Sequence, residues 1–125
     1  MKKLKFYRCQ HCGNLVIKLV DSGVPMICCG EVMQELLPNT VEASAEKHLP
    51  VVKVQKSVVE VSVGSVPHPM TPEHFITFIL LETENGFYVK DLTPKDKPEA
   101  VFACNEKPVA VYAFCNLHSL WKSNI

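Results

Sequence analysis

The sequence predicts a mainly β protein in two parts, a small metal-stapled N-terminal domain followed by an antiparallel β-sandwich. Three observations carry this. Four of the six cysteines, Cys9, Cys12, Cys28 and Cys29, crowd into the first part of a 125-residue chain. From Val51 onward, β-branched and aromatic runs recur with no convincing long helix between them. Asn85-Gly86, the strongest hairpin turn signal, sits between two of those runs.

Residues 1–37 form the first domain. Leu15–Val20 reads as a short strand and Asp21–Pro25 as a turn. So short a segment buries too little surface to fold alone, and a bound metal is its natural staple. Residues 38–125 form the second domain. Val41–Lys47 has the composition of a helical turn, ended by Leu49-Pro50. Val51–Val54 and Val58–Val63, separated by Gln55-Lys56-Ser57, read as a hairpin, with Val59, Val61 and Val63 on one face. His74–Leu81 is apolar on both faces and reads as a central strand. Phe87–Lys90, Ala100–Ala103 and Val109–Phe114 supply further strands, six or seven in all, as a sandwich requires.

Lys plus Arg and Asp plus Glu both number 13, so the net charge is +0. That excludes a nucleic-acid binder that works by phosphate neutralisation. No apolar run approaches the roughly 18 residues of a membrane span. The basic lead-in Met1–Arg8 is followed by no apolar signal core, so the expected location is the cytoplasm. In a reducing compartment, clustered cysteines are metal ligands or redox centres more often than disulfides.

Cys9-Gln10-His11-Cys12-Gly13 is a C-x-x-C knuckle whose spacing turns two thiolates onto one ion. Cys28-Cys29 is a vicinal pair, which should splay one S–metal–S angle. Four thiolates suit Zn²⁺ or a single Fe. A plain structural zinc site and a disulfide scaffold are the competing readings. His11 reads as a surface residue, since four thiolates complete the shell.

The other four histidines, His48, His68, His74 and His118, fall at element boundaries of the β region, and Cys115 lies close before His118. A loop histidine on a rigid scaffold has its ring free to aim at a site. Prolines flank His68 and stiffen its placement. Imidazole suits Fe, Zn or Cu, and a thiolate adds an electron-donating ligand. Spacing alone does not show that these residues converge.

Taken in order, Cys9-x-x-Cys12, Cys28-Cys29, Glu46-Lys47-His48, His68-Pro69-Met70 with His74, and Cys115-Asn116-x-His118 resemble desulfoferrodoxin, the two-iron-centre form of superoxide reductase. The resemblance spans nearly the whole chain. It implies a desulforedoxin-like first domain holding one iron through Cys9, Cys12, Cys28 and Cys29, with Zn a possible substitute there. It implies an immunoglobulin-like second domain. There a catalytic ferrous iron has His48, His68, His74 and His118 as equatorial ligands, Cys115 as axial ligand, and a sixth position open to superoxide. It also implies a cytoplasmic homodimer with rubredoxin or a similar protein as electron donor.

The implied reaction reduces superoxide by one electron to hydrogen peroxide and releases no O₂. A ferrous ion with four neutral imidazoles and one thiolate carries local charge +1 and attracts an anion. The thiolate donates electron density to iron, tuned by backbone N–H groups around Asn116 and Leu117. Glu46 and Lys47 flank a ligand. Glu46 is expected to ligate ferric iron after product leaves, and Lys47 to steer superoxide and organise a proton-donating water. Cys104 reads as a small residue at a strand end, and Trp121 as a packing anchor beside the site. The chain departs from the family pattern at Ser119, where Gly is usual, and at Thr77-Phe78, where an acidic residue and Trp are often found; Cys104 is additional. The alternative function is a non-catalytic metal-stapled electron-transfer or protein-interaction module, in which the four histidines do not converge.

Overall fold

The structure is a computed structural model, and it describes residues 3–125. Met1 and Lys2, the start of the basic lead-in, lie outside the described residues. The chain divides into two compact units, one ending at Leu37 and the other spanning Pro38–Ile125.

Among the described residues, the first unit is built from five very short strands. β1 (Phe6–Arg8) pairs antiparallel with β2 (Leu15–Ile17). The β2 residues are therefore the first half of the run expected as one strand. The chain leaves the ladder at Lys18, whose ammonium is drawn to the Asp21 carboxylate at 3.1 Å and the Val24 carbonyl. β3 (Ile27–Cys28) and β4 (Glu31–Val32) form a hairpin with Cys29-Gly30 as its two-residue turn. Both turn residues have positive φ, 53° and 76°, as a hairpin of this length demands. β5 (Gln34–Leu36) returns to the other edge of β1.

The second unit opens with a four-residue helix, α1 (Ala45–His48), which leads into β6 (Pro50–Gln55). β7 (Val58–Val63) pairs with β6 and places Val59, Val61 and Val63 on the buried face. β8 (Ile76–Thr83) is buried along almost its whole length. Asn85-Gly86 turns it into β9 (Phe87–Asp91). β10 (Glu99–Ala103), β11 (Pro108–Cys115) and β12 (Ser119–Asn124) complete the unit.

A three-stranded sheet of order β10-β7-β6 and a four-stranded sheet of order β12-β11-β8-β9 share one core. Val59, Val61, Val63, Ala100 and Phe102 come from the first sheet, and Ile76, Ile79, Leu81, Val111, Ala113 and Cys115 from the second. Every strand pair is antiparallel, which gives the seven-stranded immunoglobulin-like sandwich. Ser123 Oγ donates to the Pro50 carbonyl at 2.6 Å and ties the edge strands β12 and β6. Cys104, just past β10, is buried, and its thiol donates to the Glu106 carbonyl at 3.2 Å.

Two features were not legible in the pattern of runs. The strand expected from His74 begins at Ile76, because His74 is bridged back to Thr71 in a tight turn. Glu82 continues β8 as a buried carboxylate, accepting from the Tyr112 hydroxyl at 3.4 Å.

Ile79 sits fully buried where the two sheets meet. Ile79→Ala is expected to lower the unfolding free energy by about 2–5 kcal/mol in denaturant titrations. A loss below about 1 kcal/mol would show that this core position is not close-packed.

Candidate metal centres

In the first unit, the sulfurs of Cys9, Cys12, Cys28 and Cys29 all lie within 4.8 Å of one another. The knuckle is closed by Gly13, at φ 83°, whose N–H donates to the Cys9 carbonyl at 3.0 Å. The β3–β4 turn brings the vicinal pair to the same point. With Cys29 in the left-handed region, its sulfur and that of Cys28 reach one site. Cys12 and Cys28 Sγ are 3.6 Å apart, far beyond a disulfide bond, and all six cysteines are free. Two sulfurs about 2.3 Å from one tetrahedral ion lie roughly 3.8 Å apart, so the spacing fits a thiolate-bound metal. His11 stays outside the group and meets the Glu31 carboxylate at 3.0 Å.

The thiols cannot all ionise unaided. The Cys12 amide holds Cys9 down to about 6, while hydrogen bonding with Cys9 pushes Cys29 up to about 12 and that with Cys12 raises Cys28. One thiolate forms readily and its neighbours then keep their protons. A cation reverses this by stabilising all four anions.

In the second unit, donor atoms of His48, His68, His74 and Cys115 lie within 4.8 Å of one another. His118 joins them, its Nδ1 being 3.1 Å from His48 Nε2 and 3.9 Å from Cys115 Sγ. The four rings make a square. Successive centroids around the cycle 48-68-74-118 are 4.7, 4.6, 5.1 and 4.9 Å apart, each pair edge to face. The His48–His74 diagonal is longer, 6.3 Å, with the rings tilted by 30°. Cys115 comes from the core side, fully buried at the end of β11.

Each corner is fixed by its own local structure. His48 ends α1, and its Nδ1 donates to the Ser44 carbonyl at 2.6 Å. His68 donates its backbone N–H to Val63 and its Nδ1 to the Pro69 carbonyl at 2.7 Å. His74 closes the Thr71–His74 turn. A register shift in the β8–β11 ladder after Phe114 re-aims Cys115. Cys115 then pairs with Ser119 across a three-residue loop, and Ser119 has φ 66°. A left-handed residue is a common way to close so short a hairpin loop.

These bonds set the tautomers. A carbonyl only accepts, so Nδ1 of His48 and of His68 carries the proton and Nε2 carries the lone pair. Those two Nε2 atoms face each other at 3.2 Å. Nε2 of His74 is buried and has no hydrogen-bond partner. Lone pairs pointing at one another are repulsive unless a proton or a cation stands between them. Burial disfavours the proton, pushing His68 down to about 4 and lowering His48 and His74. A metal ion satisfies every lone pair at once. Two imidazole nitrogens about 2.1 Å from one ion at right angles are roughly 3.0 Å apart, matching the observed 3.1–3.2 Å. The donor set therefore fits a metal at the centre of the square.

Cys115 is raised by burial and lowered by the backbone N–H groups of His118 and Leu117, the former 3.4 Å from the sulfur. Asn116 was expected among these donors. Its N–H goes instead to the Phe75 carbonyl at 3.2 Å. Its side chain brackets His74, accepting from Phe75 N–H at 2.9 Å and donating to the Glu73 carbonyl at 3.0 Å. The motif spacing gave no signal for that bracket, which spans about 40 residues of sequence. Trp121 stacks on His48 with centroids 5.0 Å apart and donates Nε1–H to the His118 carbonyl at 2.9 Å.

Glu46 and Lys47 sit on α1 with both side chains exposed. The Glu46 carboxylate accepts from Ser44 Oγ at 3.5 Å. The Lys47 charge adds to the downward push on His48 and His74.

The sequence profile described as Desulfoferrodoxin matches residues 40–124. The desulfoferrodoxin of Syntrophotalea carbinolica is 44% identical over 98% of this chain and 97% of its own. The superoxide reductase of Thermococcus kodakarensis is 35% identical over 72% of this chain and 97% of its own. The crystal structure of the superoxide reductase from Treponema pallidum superposes with a TM-score of 0.82 at 38% identity, covering 98% of this chain and all of that one.

Histidines whose folded pKa is depressed bind fewer protons than in the unfolded chain between about 4 and 6.5. Stability of the metal-free second unit is therefore expected to fall as pH drops from 7 to 4. Fluorescence of Trp121, the single tryptophan, reports it in urea titrations with chelator present. A midpoint that stays level or rises over that range contradicts the burial argument.

Proposed function

The chain belongs to the desulfoferrodoxin family, and from that premise we propose that it is a superoxide reductase. The reaction is O₂•⁻ + e⁻ + 2H⁺ → H₂O₂, with no O₂ released. The observation that carries the proposal is the square of four imidazoles backed by a buried thiolate. His48, His68, His74, His118 and Cys115 would hold the catalytic iron. When bound, ferrous iron supplies the single electron and a coordination position for the substrate anion.

The chain's own groups do the rest. Carbonyl-fixed tautomers present His48 and His68 as neutral donors, so the imidazoles add no charge of their own. Cys115 feeds electron density from the core side, moderated by two backbone N–H groups. Lys47 draws the superoxide anion toward the rings and holds a water that donates a proton. Glu46, exposed on the same helix, would offer the iron a carboxylate ligand in the absence of substrate.

Cys9, Cys12, Cys28 and Cys29 would hold a second iron. Four thiolates fill a tetrahedral shell, so this centre relays electrons or staples its unit and takes no substrate. Zinc suits the same ligands. The family resemblance supports a rubredoxin-like donor, a homodimer and a cytoplasmic location. No helix among the described residues is long and apolar enough to cross a membrane.

Protein purified without added metal is expected to carry two irons per chain and to convert superoxide to peroxide without evolving O₂. Zinc alone, persisting after iron-replete expression, defeats the proposal. Lys47→Ala is expected to slow the reaction about tenfold at low ionic strength, the difference closing at high salt. An unchanged rate at low salt removes the steering role.

A further inference from the structure

We propose that Gly64 is a positioning residue for the Glu46–Lys47–His48 segment, because it lets the loop after β7 clamp the Glu46 carbonyl at contact distance; the inference rests on the functional reading above.

α1 has four residues and no side-chain N-cap bond. A single helical turn does not hold itself in place. At its ends Lys47 N–H donates to Ser44 at 3.2 Å and Leu49 N–H to Ala45 at 2.9 Å. Trp121 stacks on its last residue, His48, and the loop that follows β7 holds its backbone from outside. Val66 N–H donates to the Glu46 carbonyl at 3.0 Å, and Ser65 Oγ donates to the same oxygen at 3.2 Å. The far end of this loop is tied to another corner of the square, since His68 N–H donates to Val63 at 2.9 Å.

Gly64 makes this approach possible. A Cβ there would collide with the Glu46 carbonyl oxygen and meet Lys47 C at 2.9 Å and Glu46 C at 3.0 Å. All three are backbone atoms, so no side chain can swing aside. Relief has two directions. α1 can move outward into solvent, carrying the peptide between Glu46 and Lys47. Alternatively the loop can retreat into a cleft of about 470 Å³ lined by Ser62, Ser65, Pro67, Lys97 and Glu99. Either movement lengthens both bonds to the Glu46 carbonyl. α1 carries Glu46 and Lys47, which stand two positions and one position before His48. Any side chain at position 64 therefore acts on the site through Lys47 and Glu46.

The test has two readouts, taken on protein carrying its metals with equal metal content confirmed. Hydrogen exchange of the Val66 amide is expected to be about tenfold faster in Gly64→Ala, with β8 and β11 amides unchanged. The superoxide rate at low ionic strength is expected to fall, with weaker salt dependence. Adding Lys47→Ala is expected to lower it no further than Lys47→Ala alone, within about twofold. Unchanged Val66 exchange, or rate losses that multiply, overturns the proposal. If Gly64→Ala does not fold, Ser65→Ala carries the test, since it removes one of the two bonds and adds no bulk. It is then expected to speed Val66 exchange about threefold and to lower the rate without multiplying with Lys47→Ala; failure of either overturns the proposal. A wild type that does not consume superoxide defeats the functional reading alone, because the exchange readout does not depend on activity.

Discussion

Two short bonds, His48 Nδ1 to the Ser44 carbonyl and His68 Nδ1 to the Pro69 carbonyl, decide the character of the second site. They fix where each proton sits, and so where each lone pair points. A ring that was free to flip would relieve the 3.2 Å contact between the two Nε2 atoms by sharing a proton. These rings cannot do so, because Nδ1 is already committed to an acceptor that takes nothing else. The sandwich supplies the remaining constraint by burying both rings, which makes the imidazolium form costly. Protein groups alone leave the donors unsatisfied, and a cation completes them.

The rigid part of the molecule meets this site at Cys115. Its side chain belongs to the shared core, yet its sulfur is a donor atom grouped with those of the square. The ladder shift before it and the left-handed Ser119 after it let one residue serve both purposes. Asn116, next in the chain, reaches both sides of His74. Trp121, on the returning strand, touches His48 by stacking and His118 by hydrogen bonding. One hairpin thus fixes the sulfur, bears His118 and steadies His48 and His74. His68 is held separately, through the end of β7.

Much of this was legible in the sequence because the signals are local. Alternating valines in β7, the doubly apolar β8 and the Asn85-Gly86 turn each announce themselves within a few residues. The C-x-x-C knuckle and the Cys115–His118 spacing do the same. What escaped were dependencies across long separations or in backbone conformation. A two-residue turn with Cys29 in the left-handed region carries no pattern, since cysteine is not a residue that marks such turns. The Asn116 bracket and the Glu82–Tyr112 pair join residues far apart in the chain. Gly64 gives no hint of its role, because its lack of a side chain matters only where another backbone is pressed against it.

The two donor groups are frustrated in opposite senses, and this bears on what each can do. The sulfur cluster holds protons it must lose, since hydrogen bonds that favour the Cys9 thiolate disfavour ionisation of Cys28 and Cys29. The imidazole square lacks protons it would need to relieve its lone-pair contacts. A dication answers both, but with different residual charge. Four thiolates around a dication leave a net charge of about −2, in a shell with no place for an anion. Four neutral imidazoles and one thiolate leave about +1, and Lys47 adds a further positive charge next to His48 in the chain. This difference in charge supports the proposal that an anionic substrate goes to the second unit. Because α1 carries Glu46 and Lys47 directly before His48, the backbone clamp on Glu46 is a matter of charge placement as well as of packing.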